Sequence, residues 1–146
     1  MPKVFGQTTP FREGKIMLKK VLIVDDSPVA RKIILSCMPK DRGYEFFLAG
    51  DGKEGIAKYT EVQPDVTFMD ITMPVMDGLL ALEEIINIDK QATVVMCTAD
   101  IQPRSILKAS DLGALLVIRK PPTKDTVEDA LAKAEEKLAA SSDTTE

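Results

Sequence analysis

Three aspartates, a threonine and a lysine are the residues of this chain best suited to chemistry, because each stands just past a short apolar run. Asp25 and Asp26 follow the run 21–24, Asp70 follows 66–69, Thr98 follows 93–97, and Lys120 follows 114–118 after Arg119. Three carboxylates brought together in a partly desolvated pocket repel one another, so such a cluster makes sense with a cation present. Oxygen donors without His or Cys select a hard ion, and a few carboxylates plus water suit Mg²⁺ better than a Ca²⁺ cage. A carboxylate beside such an ion can attack phosphorus and form an acyl phosphate. The ion, a Lys and a Thr hydroxyl then share the charge on the phosphoryl oxygens. Taken singly, an Asp after a strand is as readily a helix cap. Joint placement after four different runs is what points to a site.

The elements that must position these residues are legible as alternating patterns. Five strand-sized runs, 21–24, 46–49, 66–69, 93–97 and 114–118, are almost continuously apolar, as strands covered on both faces should be. Between them lie stripes at helical spacing: Ile33, Ile34, Cys37 and Met38, then Leu79, Leu82, Ile85 and Ile86. After the fifth run come Val127, Ala130, Leu131, Ala134 and Leu138. Helix starts are signalled by Ser27-Pro28, by Asp51 with Glu54, and by Thr123 with Thr126. The pattern is (βα)5. It predicts an α/β fold with a doubly wound, five-stranded parallel sheet in a three-layer α/β/α sandwich, flavodoxin-like in architecture. Ligands of such sheets bind beyond the carboxyl ends of the strands, where all five chemical residues fall. Residues 1–17 read as an N-terminal arm, 18–140 as the domain and 141–146 as a solvated C-terminal tail.

Composition narrows the function classes. The chain has 146 residues and 45% hydrophobic content, enough for one domain with a core. A net charge of −4 supplies no basic footprint for nucleic acid or an anionic membrane. Histidine is absent, which removes Ser-His-Asp and Cys-His catalysis and histidine-ligated zinc. Cys37 and Cys97 form no C-x-x-C pair and read as buried free thiols. No run reaches the ~18 apolar residues of a membrane span, and the first residues lack a signal-peptide core, so a cytoplasmic protein without membrane insertion is expected.

These residues carry a family resemblance. VLIVDDS, FMDITMPVMDG, CTAD and RKPP, in that order over about residues 19–140, resemble the receiver domain of two-component response regulators, of the stand-alone CheY-like kind. The resemblance implies that Asp70 is the phosphoacceptor and that Asp26, Asp70 and the Thr72 backbone carbonyl hold Mg²⁺, with Asp25 assisting. It implies that Thr98 senses the phosphoryl group, that Lys120 pairs with it, and that Lys120-Pro121 is cis. The implied partners are a sensor histidine kinase as phosphodonor, a downstream protein, as in chemotaxis-type signalling, bound through the face of the fourth helix, fifth strand and fifth helix, and a separate phosphatase. Thr72 and Asp100 would flank the phosphoryl entrance and tune its lifetime. The chain would be a signalling switch and not an enzyme.

Two departures bear on output. Val117 stands where the family usually has Tyr or Phe, and Pro122 replaces a common aromatic. Val is too small and too stiff at χ1 to repeat an aromatic's rotation. The signal is therefore expected to leave through the Ala99-Asp100 loop and the fourth helix, over about residues 101–112. Among rival readings, a small Mg²⁺-dependent aspartate-nucleophile phosphohydrolase has nearly the same chemistry, but would place a D-x-D after the first strand, where this chain reads DDS. Turnover of p-nitrophenyl phosphate would favour that enzyme, and one stable phosphoryl group per chain the switch. A pseudo-receiver serving only as a scaffold conflicts with the complete acid set. Gly50-Asp51-Gly52-Lys53-Glu54-Gly55 spells G-x-G-x-x-G, yet it follows the second strand and its acids would face a pyrophosphate. A turn and helix cap is the better reading. An FMN site fails likewise, because Asp25-Asp26 would repel its phosphate.

Overall fold

The structure, a computed structural model, describes residues 18–99 and 102–144. The expectations placed on residues 1–17, Asp100 and Ile101 lie outside them. The strands are β1 (Lys20–Val24), β2 (Glu45–Ala49), β3 (Val66–Asp70), β4 (Val94–Thr98) and β5 (Leu116–Arg119). The helices are α1 (Pro28–Cys37), α2 (Gly52–Val62), α3 (Gly78–Ile88), α4 (Pro103–Leu112) and α5 (Lys124–Thr144). All four neighbouring strand pairs are parallel, in the order β2-β1-β3-β4-β5. The chain leaves β1 toward one edge and returns to the other side of it, so the reversal of winding falls between β1 and β3. Diverging crossovers open a crevice at the carboxyl end there.

Alternation along the strands builds two cores. Val21 and Ile23 of β1, with Phe68, Val95 and Cys97, pack against Ile34 of α1 and Val127, Ala130, Leu131 and Ala134 of α5. Leu22 and Val24, with Met69, Val94 and Met96, meet Tyr59 of α2, Ala81, Leu82 and Ile85 of α3, and Ala109 of α4. β1, β3 and β4 are buried on both faces. β2 and β5 are partly exposed, contrary to the expectation of cover on both faces. As edge strands, each is flanked on one side only, a fact that apolar content does not reveal. Ile33 also departs from its expected stripe and is 37% exposed, because α1 buries Ile34 and Cys37 toward the sheet.

The helix starts form as their sequences suggest. Ser27 Oγ accepts from Ala30 N with Pro28 beginning α1, and Asp51 Oδ1 accepts from Glu54 N. Thr123 and Thr126 bond reciprocally: each hydroxyl accepts the other residue's N–H, satisfying free donors at the start of α5. Residues 141–144 were expected in a solvated tail, yet α5 continues through Thr144. No Gly or Pro interrupts the chain after Pro122, and Ala-rich sequence propagates a helix once formed. Both cysteines are free and buried, and burial pushes the Cys97 thiol up to about 12, leaving it inert. No described helix is long and apolar enough to cross a membrane.

One core hydroxyl is uncompensated. Thr67 Oγ1, inside β3, has no hydrogen-bond partner among the described residues. A buried unsatisfied hydroxyl costs about 1–3 kcal/mol. Thr67→Val, which keeps the shape, is expected to stabilise the fold by about 1 kcal/mol. A urea midpoint at or below wild type would show that the hydroxyl is satisfied in solution.

Candidate functional site

The fold gathers the expected residues at one place. Asp25 begins the loop after β1, Asp70 ends β3, Thr98 ends β4 and Lys120 follows β5, all at the carboxyl edge. Carboxylate oxygens of Asp25, Asp26 and Asp70 lie within 4.8 Å of one another. Asp25 and Asp70 are buried and Asp26 is exposed, so the cluster opens to solvent on the Asp26 side. Thr98 is buried at the strand end beside Asp70, where the β3–β4 register pairs Asp70 with Cys97.

Of the acid pair, Asp25 is the residue that holds the lysine. Lys120 Nζ donates to Asp25 Oδ2 at 2.7 Å and lies 3.3 Å from Asp70 Oδ1. Asp25 Oδ1 accepts from Ser27 N at 2.9 Å, so both its oxygens are engaged. Burial and the neighbouring Asp25 charge push the Asp70 carboxyl above its usual range, against the pull of Lys120 and of the Thr72 backbone N–H. For Lys120, burial disfavours the charge. The Asp25 hydrogen bond and the two carboxylate charges outweigh it and raise the ammonium above the ordinary lysine range. The lysine is thus a fixed cation between two carboxylates. The Lys120–Pro121 peptide is cis, as the resemblance implies.

The loop 71–77 brackets the pocket. Met73 is buried, Thr72 and Pro74 are exposed, and Met76 N donates to Pro74 O across Val75, whose φ is 71°. Asp77 caps α3 through Leu80 N, as expected for a turn into that helix. Gly52 and Gly55, within the dinucleotide-like pattern, owe their identity to packing. A Cβ on Gly52 would sit 2.6 Å from Met76 O, and one on Gly55 would meet Val24 Cγ at 3.0 Å. Val117 is half-buried and packs against the second core, its strand β5 lying against α4. Pro122 is buried, and its carbonyl accepts from Cys37 Sγ.

Two contacts were not foreseen from spacing. Gly78 N donates to Ile71 O at 2.6 Å, bringing the first residue of α3 against the end of β3. Arg31 Nη1 donates to the Asp25 carbonyl at 2.6 Å, from α1 back to the acid pair. The available signal for the second was a cation six residues after Asp25, early in a helix that starts at the pocket.

An acid cluster with one fixed lysine, at the carboxyl edge of a 2-1-3-4-5 parallel sheet, defines a class of phosphoacceptor signalling domains. Residues 21–132 match the response regulator receiver domain family, and the chain belongs to it. It is 42% identical over 118 residues to the chemotaxis protein CheY of Bacillus subtilis, covering 80% of this chain and 98% of that one. Among solved structures it is similar to the crystal structure of the CheX-CheY-BeF3-Mg²⁺ complex from Borrelia burgdorferi. The TM-score there is 0.74 at 32% identity, over 79% of this chain and 87% of that chain. A CheY-like receiver domain protein from Methanospirillum hungatei gives 0.77 at 27% identity, over 84% and 98%. The chain is a CheY-like phosphoacceptor switch of the two-component type, and its fold is the flavodoxin-like (βα)5 sandwich. The phosphohydrolase alternative is not favoured.

Proposed function

We propose that Asp70 receives a phosphoryl group from a sensor histidine kinase in the cytoplasm, and that the phosphorylated chain signals by binding a partner protein. The observation that carries this reading is the cluster of Asp25, Asp26 and Asp70 oxygens within 4.8 Å, with Lys120 held between Asp25 and Asp70. In the transfer, the donor's P–N bond breaks, a P–O bond forms to an Asp70 carboxylate oxygen, and the imidazole leaves. Lys120 and the Thr98 hydroxyl take phosphoryl oxygens, and Asp25 keeps Lys120 aimed.

The donor set fits Mg²⁺: all oxygen, three carboxylates and one open, solvent-facing side. Asp26, Asp70 and the Thr72 backbone carbonyl would hold it, with Asp25 in support. When bound, the ion offsets negative charge on the phosphoryl oxygens. Without it, three carboxylates face one ammonium, so Mg²⁺ is expected to stabilise the fold by about 1–3 kcal/mol at tens to a hundred times Kd. Asp26→Asn is expected to raise the metal-free melting temperature and abolish its rise with Mg²⁺. An unchanged Mg²⁺ response in that variant removes Asp26 from the ligand set.

Output is assigned to the face of α4, β5 and α5. α4 buries Ala109, while Leu107 is 64% exposed and the Gln102 N-cap makes no side-chain hydrogen bond. Sparse packing of that kind marks an element of low local stability, suited to two arrangements. With Val117 in place of an aromatic, the backbone of this helix and its preceding loop carries the change. The structure of the Borrelia CheY in complex with CheX, beryllium fluoride and Mg²⁺ supports the reading that this chain binds a partner protein; a separate phosphatase is a further partner of the proposal. Adding beryllofluoride and Mg²⁺ is expected to move amide resonances across 102–119. Shifts confined to the acid pocket would overturn this route.

A further inference from the structure

We infer that Arg31 is a positioning residue for the metal site, acting through the Asp25–Asp26 peptide; this rests on the reading of Asp26 as a metal ligand. Every polar group of Asp25 is engaged. Its N–H donates to Ala49 O at 3.1 Å, Oδ1 accepts from Ser27 N, Oδ2 from Lys120, and its carbonyl from Arg31 Nη1 at 2.6 Å. Asp26 differs, because its exposed carboxylate has no hydrogen bond or ion pair with the described residues. The direction of that carboxylate is therefore set by its own backbone, and the carbonyl that fixes the 25–26 peptide plane is the one Arg31 grips.

Arg31 is also oddly placed for a residue serving α1 alone. It lies in the first turn, where its own N–H donates to Ser27 O. A cation there opposes the helix dipole, whose N-terminal end is already positive, and no acidic residue of that turn offsets it. Side chains on a helix lean toward its N-terminus, and this lean carries the guanidinium back over the loop to Asp25. A charge-assisted bond to a carbonyl is stronger than a neutral one. It holds the peptide plane from which the Asp26 side chain departs. Groups behind a metal ligand that fix its orientation typically change metal affinity by about 10–100-fold when removed.

The test is Mg²⁺ titration by calorimetry on the full chain, with metal-free melting followed in parallel. Arg31→Met keeps most of the stem and removes the donors; it is expected to raise the Mg²⁺ Kd about tenfold. Arg31→Lys restores a donor and the charge, and is expected to recover most of that loss. If Arg31→Met folds poorly, Arg31→Gln, whose shorter side chain falls short of the carbonyl, carries the same expectation. A lowered melting temperature with wild-type Mg²⁺ affinity would make Arg31 a tie between helix and loop and overturn the inference. Asp26→Asn separates the two failures. If that variant loses Mg²⁺ and the Arg31 variants do not, the inference alone falls, whereas wild-type affinity in Asp26→Asn brings down the metal-site reading beneath it.

Discussion

Asp70→Asn is expected to take up no phosphoryl group from acetyl phosphate and Mg²⁺ under conditions in which the wild-type chain takes up one. Three carboxylates share the pocket, and their surroundings distinguish them. Asp25 has each oxygen held by a hydrogen bond, to Lys120 and to Ser27 N, so attack on phosphorus through either oxygen would disturb a contact that fixes the lysine or the loop. Asp26 is exposed at the rim and away from the lysine contacts. Asp70 lies at the end of β3, against Lys120 and next in the sheet to the end of β4 that carries Thr98. Intact-mass measurement reads the outcome directly, and modification surviving in Asp70→Asn would remove Asp70 from its role. Stability gives a second readout that guards against a misfolded variant. The folded-state carboxyl titrates above its ordinary value, chiefly because of burial, so the folded chain binds this proton more tightly than the unfolded chain. That contribution is present below the unfolded value and is lost as pH rises through the folded one. Near neutrality the buried charge is a cost, and the neutral Asn is expected to leave the metal-free fold more stable than wild type.

The pocket was legible in the sequence for a physical reason. A parallel sheet aligns the carboxyl ends of its strands, so residues that follow successive apolar runs must meet, and Asp25, Asp26, Asp70, Thr98 and Lys120 do. Capping at Ser27, Asp51 and Thr123 was legible too, because it is settled within four residues. What escaped depends on contacts between distant segments. Strand content does not say which strands are edges, and so β2 and β5 were expected to be fully covered. Helical spacing gave the stripe of α1 but not its rotation against the sheet, which left Ile33 outside the core. The role of Arg31 has no spacing signature, since its side chain doubles back on a loop that a periodic pattern ignores. Asp77-Gly78 read as a turn for the same reason: the demand on Gly78 comes from a strand end eight residues earlier.

Gly78→Ala is expected to be the most damaging single substitution near the site, costing about 3 kcal/mol or more. A Cβ at this position would lie 2.0 Å from the Asp70 carbonyl oxygen and 2.8 Å from Ile71 Cα. Both are backbone atoms, so no side-chain rotation relieves the clash. Moving α3 away would break the 2.6 Å bond from Gly78 N to Ile71 O and pull on the Asp77 cap. Moving β3 instead would shift Asp70 relative to Lys120 and the acid pair, because the clashing oxygen belongs to Asp70 itself. Either route couples stability to function, so the fraction that still folds should also lose Mg²⁺ affinity and phosphoryl uptake. Gly50→Ala is the control from the neighbouring loop. Its added Cβ would meet only the flexible ends of Glu54 and Arg31, at 3.4 and 3.7 Å, and its urea midpoint should stay close to wild type. If Gly78→Ala unfolds at the wild-type midpoint, the loop after β3 has room to relax, and Asp70 is held by its ionic partners and not by the close approach of α3.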